Sequence, residues 1–127
     1  MKFVLFAFAV LAAAVPATAQ NRSGRLVADA SYEARGAGPN WRLAIGSQVA
    51  LRLEAEGDGF VTLQYFPRAR SRNADGIRRW ESRTTGGTTI AIEARREPCT
   101  IGETRYRDTV TVVAGERHLT GCGGPRL

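Results

Sequence analysis

One histidine, one lysine and two cysteines leave this chain with few of the side chains from which active sites are assembled. Two cysteines and His118 do not make a convincing metal-ligand set, because zinc sites need three or four ligands at characteristic spacings. His118 follows Arg117 near the end of a strand-like run and reads as a strand surface residue, since a catalytic base needs a nucleophile placed beside it. Carboxylate pairs such as Glu33 with Glu54 can be drawn from the twelve acids, but nothing in the sequence brings a chosen pair together for glycoside chemistry. The glycines at 36–38 and 121–124 do not sit between a strand and a helix, which excludes a phosphate loop. No stretch beyond the N-terminal segment carries a helical period. The chain is therefore read as a non-enzyme without metal or cofactor.

Long apolar runs are equally scarce. The one present, Phe3 to Val15, is too short to span a bilayer. It follows Met1-Lys2 and precedes Ala17-Thr18-Ala19, the arrangement of a secretory signal peptide cleaved after Ala19, and no cysteine stands at Gln20 to accept a lipid. The expectation is an exported, periplasmic, monomeric protein with a single domain over 20–127. In an oxidising compartment an even cysteine count favours a disulfide, and a Cys99–Cys122 bond contributes about 3 kcal/mol by restricting the unfolded chain.

The sole lysine, Lys2, lies in the signal, so the mature chain is cationic through arginine alone, within a net charge of +6 for the whole sequence. Arginine suits bidentate contact with phosphate and carboxylate. An anionic lipid, lipopolysaccharide or an envelope protein fits such a surface, and no nucleic acid is expected there. Arginine is also how a GC-rich genome writes ordinary surface cations, and both readings stand.

What the sequence does have is alternation. The chain looks extended from Leu26 to Arg35, with Tyr32 and Ala34 as inward positions, and breaks at 36–40. Trp41, Leu43 and Ile45 alternate with Arg42 and Ala44, the period of a half-buried strand. Gly46-Ser47-Gln48 turns into Val49, Leu51, Leu53 and Ala55, which alternate with Arg52, Glu54 and Glu56. After Gly57-Asp58-Gly59, Val61, Leu63 and Tyr65 alternate with Thr62 and Gln64 until Pro67. Between Arg68 and Arg83 the periodicity weakens around six arginines and a turn signal at 73–76, with Trp80 as the apolar anchor. Arg78, Arg79 and Trp80 there suit an anion-binding loop, or else the charged edge of a solvated hairpin. Ile90, Ile92 and Ala94 alternate next, and the segment from Cys99 to Cys122 reads as a hairpin turning at 114–116. Trp41 and Tyr106 each follow a glycine-containing turn, as rings lining a barrel mouth or as core plugs. Seven to eight short strands argue for an all-β fold, a small antiparallel β-barrel or sandwich.

Tyr32-Glu-Ala34-Arg-Gly36-Ala-Gly38-Pro39-Asn-Trp41, Cys99, Gly102-Glu-Thr-Arg-Tyr106, Thr109-Val110 and Leu119-Thr-Gly-Cys122-Gly together resemble a family of small exported proteins and lipoproteins of Gram-negative bacteria, often labelled predicted membrane proteins. Its pattern runs Y-x-A-x-G-x-x-P-x-W and ends in L-x-G-C-G. This chain departs from it at Gly38 and Asn40, where glutamate and an aromatic are usual, and at Thr100 to Gly102. The resemblance implies a β-rich exported domain and no activity. The Gly102 to Tyr106 segment is also similar, without its serine, to a loop of periplasmic c-type lysozyme inhibitors. That similarity implies an alternative role as inhibitor of an envelope hydrolase, although a cationic chain would be repelled by cationic lysozyme.

Overall fold

The computed structural model describes residues 25–38, 40–54 and 61–127. The expected signal peptide, the leader to residue 24, Pro39, Ala55 and the turn expected at 57–59 lie outside the described residues. Among the described residues ten strands follow in chain order: β1 Tyr32–Ala37, β2 Asn40–Ile45, β3 Val49–Glu54, β4 Val61–Phe66, β5 Arg70–Ala74, β6 Ile77–Arg83, β7 Thr89–Arg95, β8 Cys99–Ile101, β9 Thr104–Ala114 and β10 Arg117–Arg126. The count exceeds the seven or eight read from periodicity for two reasons. The arginine-rich stretch resolves into the paired strands β5 and β6. The C-terminal segment also turns twice, because Gly102 adopts a φ of +61° and lets β8 fold back on β9.

All pairings are antiparallel, in the order β4-β3-β2-β1-β10-β9-β7-β6-β5, with β8 on β9 beside this path. β4 and β5 end the ladder and do not pair among the described residues, so the sheet is not a closed barrel. It curls nonetheless. Tyr32 on β1 and Trp80 on β6 stand four strand spacings apart, roughly 19 Å on a flat sheet. Their ring centroids lie 4.7 Å apart. The concave face thus closes on one core, in which Leu43, Leu51, Phe66, Ile90, Ile92, Val110 and Val112 are fully buried. Burying each such side chain is worth about 1.5–3 kcal/mol.

Two stretches depart from the expected pattern. Residues 26–31 are not strand but a strap over the convex face. There Val27 buries Ala44 and Ala50, with Leu26 and Ala30 packed alongside. Asp29 anchors the strap, accepting hydrogen bonds from the Ser47 backbone N–H (3.0 Å) and hydroxyl (3.1 Å) in the β2–β3 turn. The alanines at 44 and 50 are small enough to admit this second layer.

The other departure is β4. Its register sets Val49 opposite Phe66, Leu51 opposite Gln64 and Leu53 opposite Thr62. Cross-strand partners share a face, so Thr62, Gln64 and Phe66 turn toward the core side and Val61, Leu63 and Tyr65 turn outward. The apolar row is 48%, 45% and 47% exposed. Phe66, fully buried, decides the matter: satisfying its large ring puts every second residue before it on the core side.

Candidate anion-binding cleft

Asp108 is the only buried charged residue among those described. It stands at the inward parity of Val110 and Val112 on β9, where a carboxylate without partners would be costly. Partners are supplied from two sides. Tyr32 Oη donates to Oδ2 at 2.7 Å, while Arg107 donates from Nε to Oδ1 at 2.8 Å and from Nη2 to Oδ2 at 2.9 Å. Arg96 Nε stands 3.8 Å from Oδ1. Burial raises the Asp108 pKa, but the hydrogen bonds from Arg107 and Tyr32 and the charges of Arg107 and Arg96 outweigh it and hold it below the ordinary carboxylate value. The Tyr32 hydroxyl is pushed the other way, far above its usual range, by burial and by its bond to the carboxylate. A carboxylate held ionised in this way is poorly suited to act as a general acid.

Glycines make this network possible. A Cβ on Gly123 would lie 2.6 Å from Tyr32 Oη and 2.7 Å from Val110 Cγ2, so only glycine lets Tyr32 reach across β10. Gly124, with φ of +78°, sits at an irregularity in the β9–β10 register beside Asp108.

Around the network opens a cleft of about 380 Å³ lined by Tyr32, Arg78, Trp80, Arg96, Arg107 and Asp108. Three guanidinium groups face one carboxylate that is already bonded, which leaves the cleft cationic. The Arg78 guanidinium lies 4.7 Å from the Trp80 ring centroid, a cation–π contact that holds it at the cleft wall.

Of the residues picked out by sequence, Arg78 and Trp80 meet here. Arg79 does not, because neighbours in a strand point to opposite faces. It lies on the convex side with its guanidinium 2.6 Å from Glu93, which Arg95 also contacts at 3.3 Å. Trp41 and Tyr106 are buried elsewhere. The Trp41 indole lies on Gly36 and Gly121, where added side chains would collide with it, and its Nε1 has no hydrogen-bond partner. The Arg35 guanidinium covers Tyr106 at 5.4 Å from the ring centroid. Cys99 and Cys122 are joined, with Cα atoms 5.4 Å apart, and tie β8 to β10.

Sequence reasoning missed Asp108, Tyr32, Arg96 and Arg107 as one group. One signal was present, an acid in phase with the buried valines of β9. The convergence of β1, β6 and the β7–β8 connection on it has no local signature. No group of three or more metal-ligating side chains occurs among the described residues, and no described helix is long and apolar enough to cross a membrane. Comparison with protein families, curated proteins and solved structures finds no match.

Proposed function

We propose that this is an exported, non-enzymatic protein of the bacterial envelope that binds an anionic, phosphate-bearing envelope component in the cleft between β1, β6 and β9. The observation that carries the reading is the convergence of Arg78, Arg96 and Arg107 on one cleft whose single carboxylate is already engaged. Guanidinium groups held in place by a buried carboxylate and an aromatic face are pre-organised for phosphate oxygens. The disulfide fits an oxidising compartment, and the resemblance to small exported envelope proteins agrees with that setting.

The test is binding of the mature chain to vesicles of anionic phospholipid and to lipopolysaccharide, at low and moderate salt. Salt-sensitive binding is expected, lost in Arg78→Ala and retained in Arg79→Ala, because only Arg78 lines the cleft. Binding that ignores salt, or that Arg79→Ala weakens as much as Arg78→Ala, overturns the reading. Inhibition of lysozyme in a parallel titration would move the function to the hydrolase-inhibitor alternative.

A further inference from the structure

The cleft between β1, β6 and β9 holds more positive charge than its own carboxylate balances. The guanidinium groups of Arg78, Arg96 and Arg107 share it with Asp108 alone, an excess of two positive charges. The rest of the lining, Asn73, Gly76, Ile77 and Ala94 with the rings of Tyr32 and Trp80, is uncharged and offsets none of it. The donors are largely unspent as well. Arg107 gives Nε and Nη2 to Asp108 and keeps Nη1. Arg96 Nε stands 3.8 Å from Asp108 Oδ1, beyond hydrogen-bond reach. Arg78 is held by the face of the Trp80 ring, a contact that commits no N–H to an oxygen.

We infer that the group this cleft selects is a phosphate monoester rather than a phosphodiester, an inference that rests on the anion-binding reading. Above its second ionisation, at about pH 6, a monoester carries close to two negative charges on three terminal oxygens. That balances the excess charge and offers one oxygen to each guanidinium. A diester in the same place brings one charge and two terminal oxygens, so one guanidinium stays unmatched. A carboxylate has the same shortfall. One charge-assisted hydrogen bond more or less changes affinity about tenfold or more, which sets the scale of the preference. The monoester is carried either by a headgroup at a membrane surface or by a soluble sugar or glycerol phosphate, and both present the same three oxygens.

Two binding arms with the mature, oxidised protein test this. One compares vesicles of phosphatidic acid, a monoester, with vesicles of phosphatidylglycerol, a diester, at surface charge matched at each pH. The other titrates glycerol 3-phosphate against dimethyl phosphate in solution. At pH 8 the monoester binds about tenfold tighter or more. The preference shrinks toward pH 5, because the monoester gives up its second charge while the cleft lining contains no histidine. Arg96→Ala, at an exposed position, brings the preference close to one, and Arg79→Ala leaves it unchanged. A preference seen on vesicles assigns a headgroup, and one seen only in solution assigns a soluble phosphate. Equal binding of monoester and diester in both arms, abolished by Arg78→Ala, overturns the monoester inference and leaves the anion-binding reading standing. Absence of binding in both arms, or binding that Arg78→Ala does not weaken, overturns the two together.

Discussion

At the middle of the sheet Tyr32 and Trp41 lie against Gly123, Gly36 and Gly121, and a disulfide and a bonded carboxylate lock β1, β8, β9 and β10 together. At the β4 edge Val61, Leu63 and Tyr65 stand about half exposed, Tyr65 beside Leu26 and Val27 of the strap. Both regions are built from alternating strand residues, yet one uses its large side chains to fix the fold and the other displays them. The difference teaches where substitutions act. Changes at the centre strike the stability of the monomer, because rigid backbone and ring surfaces there cannot relax. Changes at the rim leave the fold intact.

The sharpest way to break this contrast is at the staple. Replacing Cys99 and Cys122 with serine is expected to cost about 3 kcal/mol, read as a fall in the urea midpoint with a steeper slope, because the unfolded chain without its cross-link exposes more surface. An unchanged midpoint would show that the centre does not depend on its cross-link. Next is Gly121→Ala, whose methyl group would meet the Arg35 carbonyl and the Trp41 ring. Because one obstacle is backbone, a loss of about 1–3 kcal/mol is expected from overpacking. The same substitution at Gly38, with open space around it, should be tolerated.

Asp108 contributes a pH signature. Its native pKa lies below the unfolded value, so the folded state binds fewer protons and its stabilisation is full above about pH 4. That contribution is lost as pH falls through the native value. Asp108→Asn should flatten this acid branch in urea midpoints measured against pH. Tyr32 supplies the mirror image: its native pKa is raised, so its contribution holds below about pH 10 and declines as the unfolded tyrosine ionises above it. Smallest are the rim effects on stability. Leu63→Arg, which sets a second guanidinium opposite Arg52 on β3, and Arg79→Ala, which removes an exposed ion pair, should each shift the monomer's stability by at most about 1 kcal/mol. A large loss from either would mean that the rim belongs to the core.

Much of the architecture was legible in the chain. Alternation located β2, β3, β7 and the inward residues of β9, and the cysteine pair matched the observed disulfide. The candidate cleft was half legible. Arg78 and Trp80 were visible as a cation beside an aromatic, but joining Arg79 to them overlooked the period of two that sends neighbours to opposite faces. Arg96 and Arg107 were hidden among seventeen arginines, with nothing local to single them out. Trp41 and Tyr106, each following a glycine turn, could be read from sequence as mouth residues or as core plugs, and both are buried. The glycines that receive Trp41, at 36 and 121, come from different strands, and no reading of one segment pairs them.

By itself the sequence determined the all-β class, the disulfide and the arginine character of the surface, because alternation, cysteine count and composition are properties of short segments. Alternation also picked the inner face of β2, β3 and β7, but the inner face of β4 was decided by the tertiary structure alone. For β4 a buried Phe66 at the end of the strand outweighed three apolar residues before it, since one filled core position fixes the parity of the whole strand. It alone also brought Tyr32, Trp80 and Asp108 together, because the curl of the sheet closes distances that a single segment does not encode.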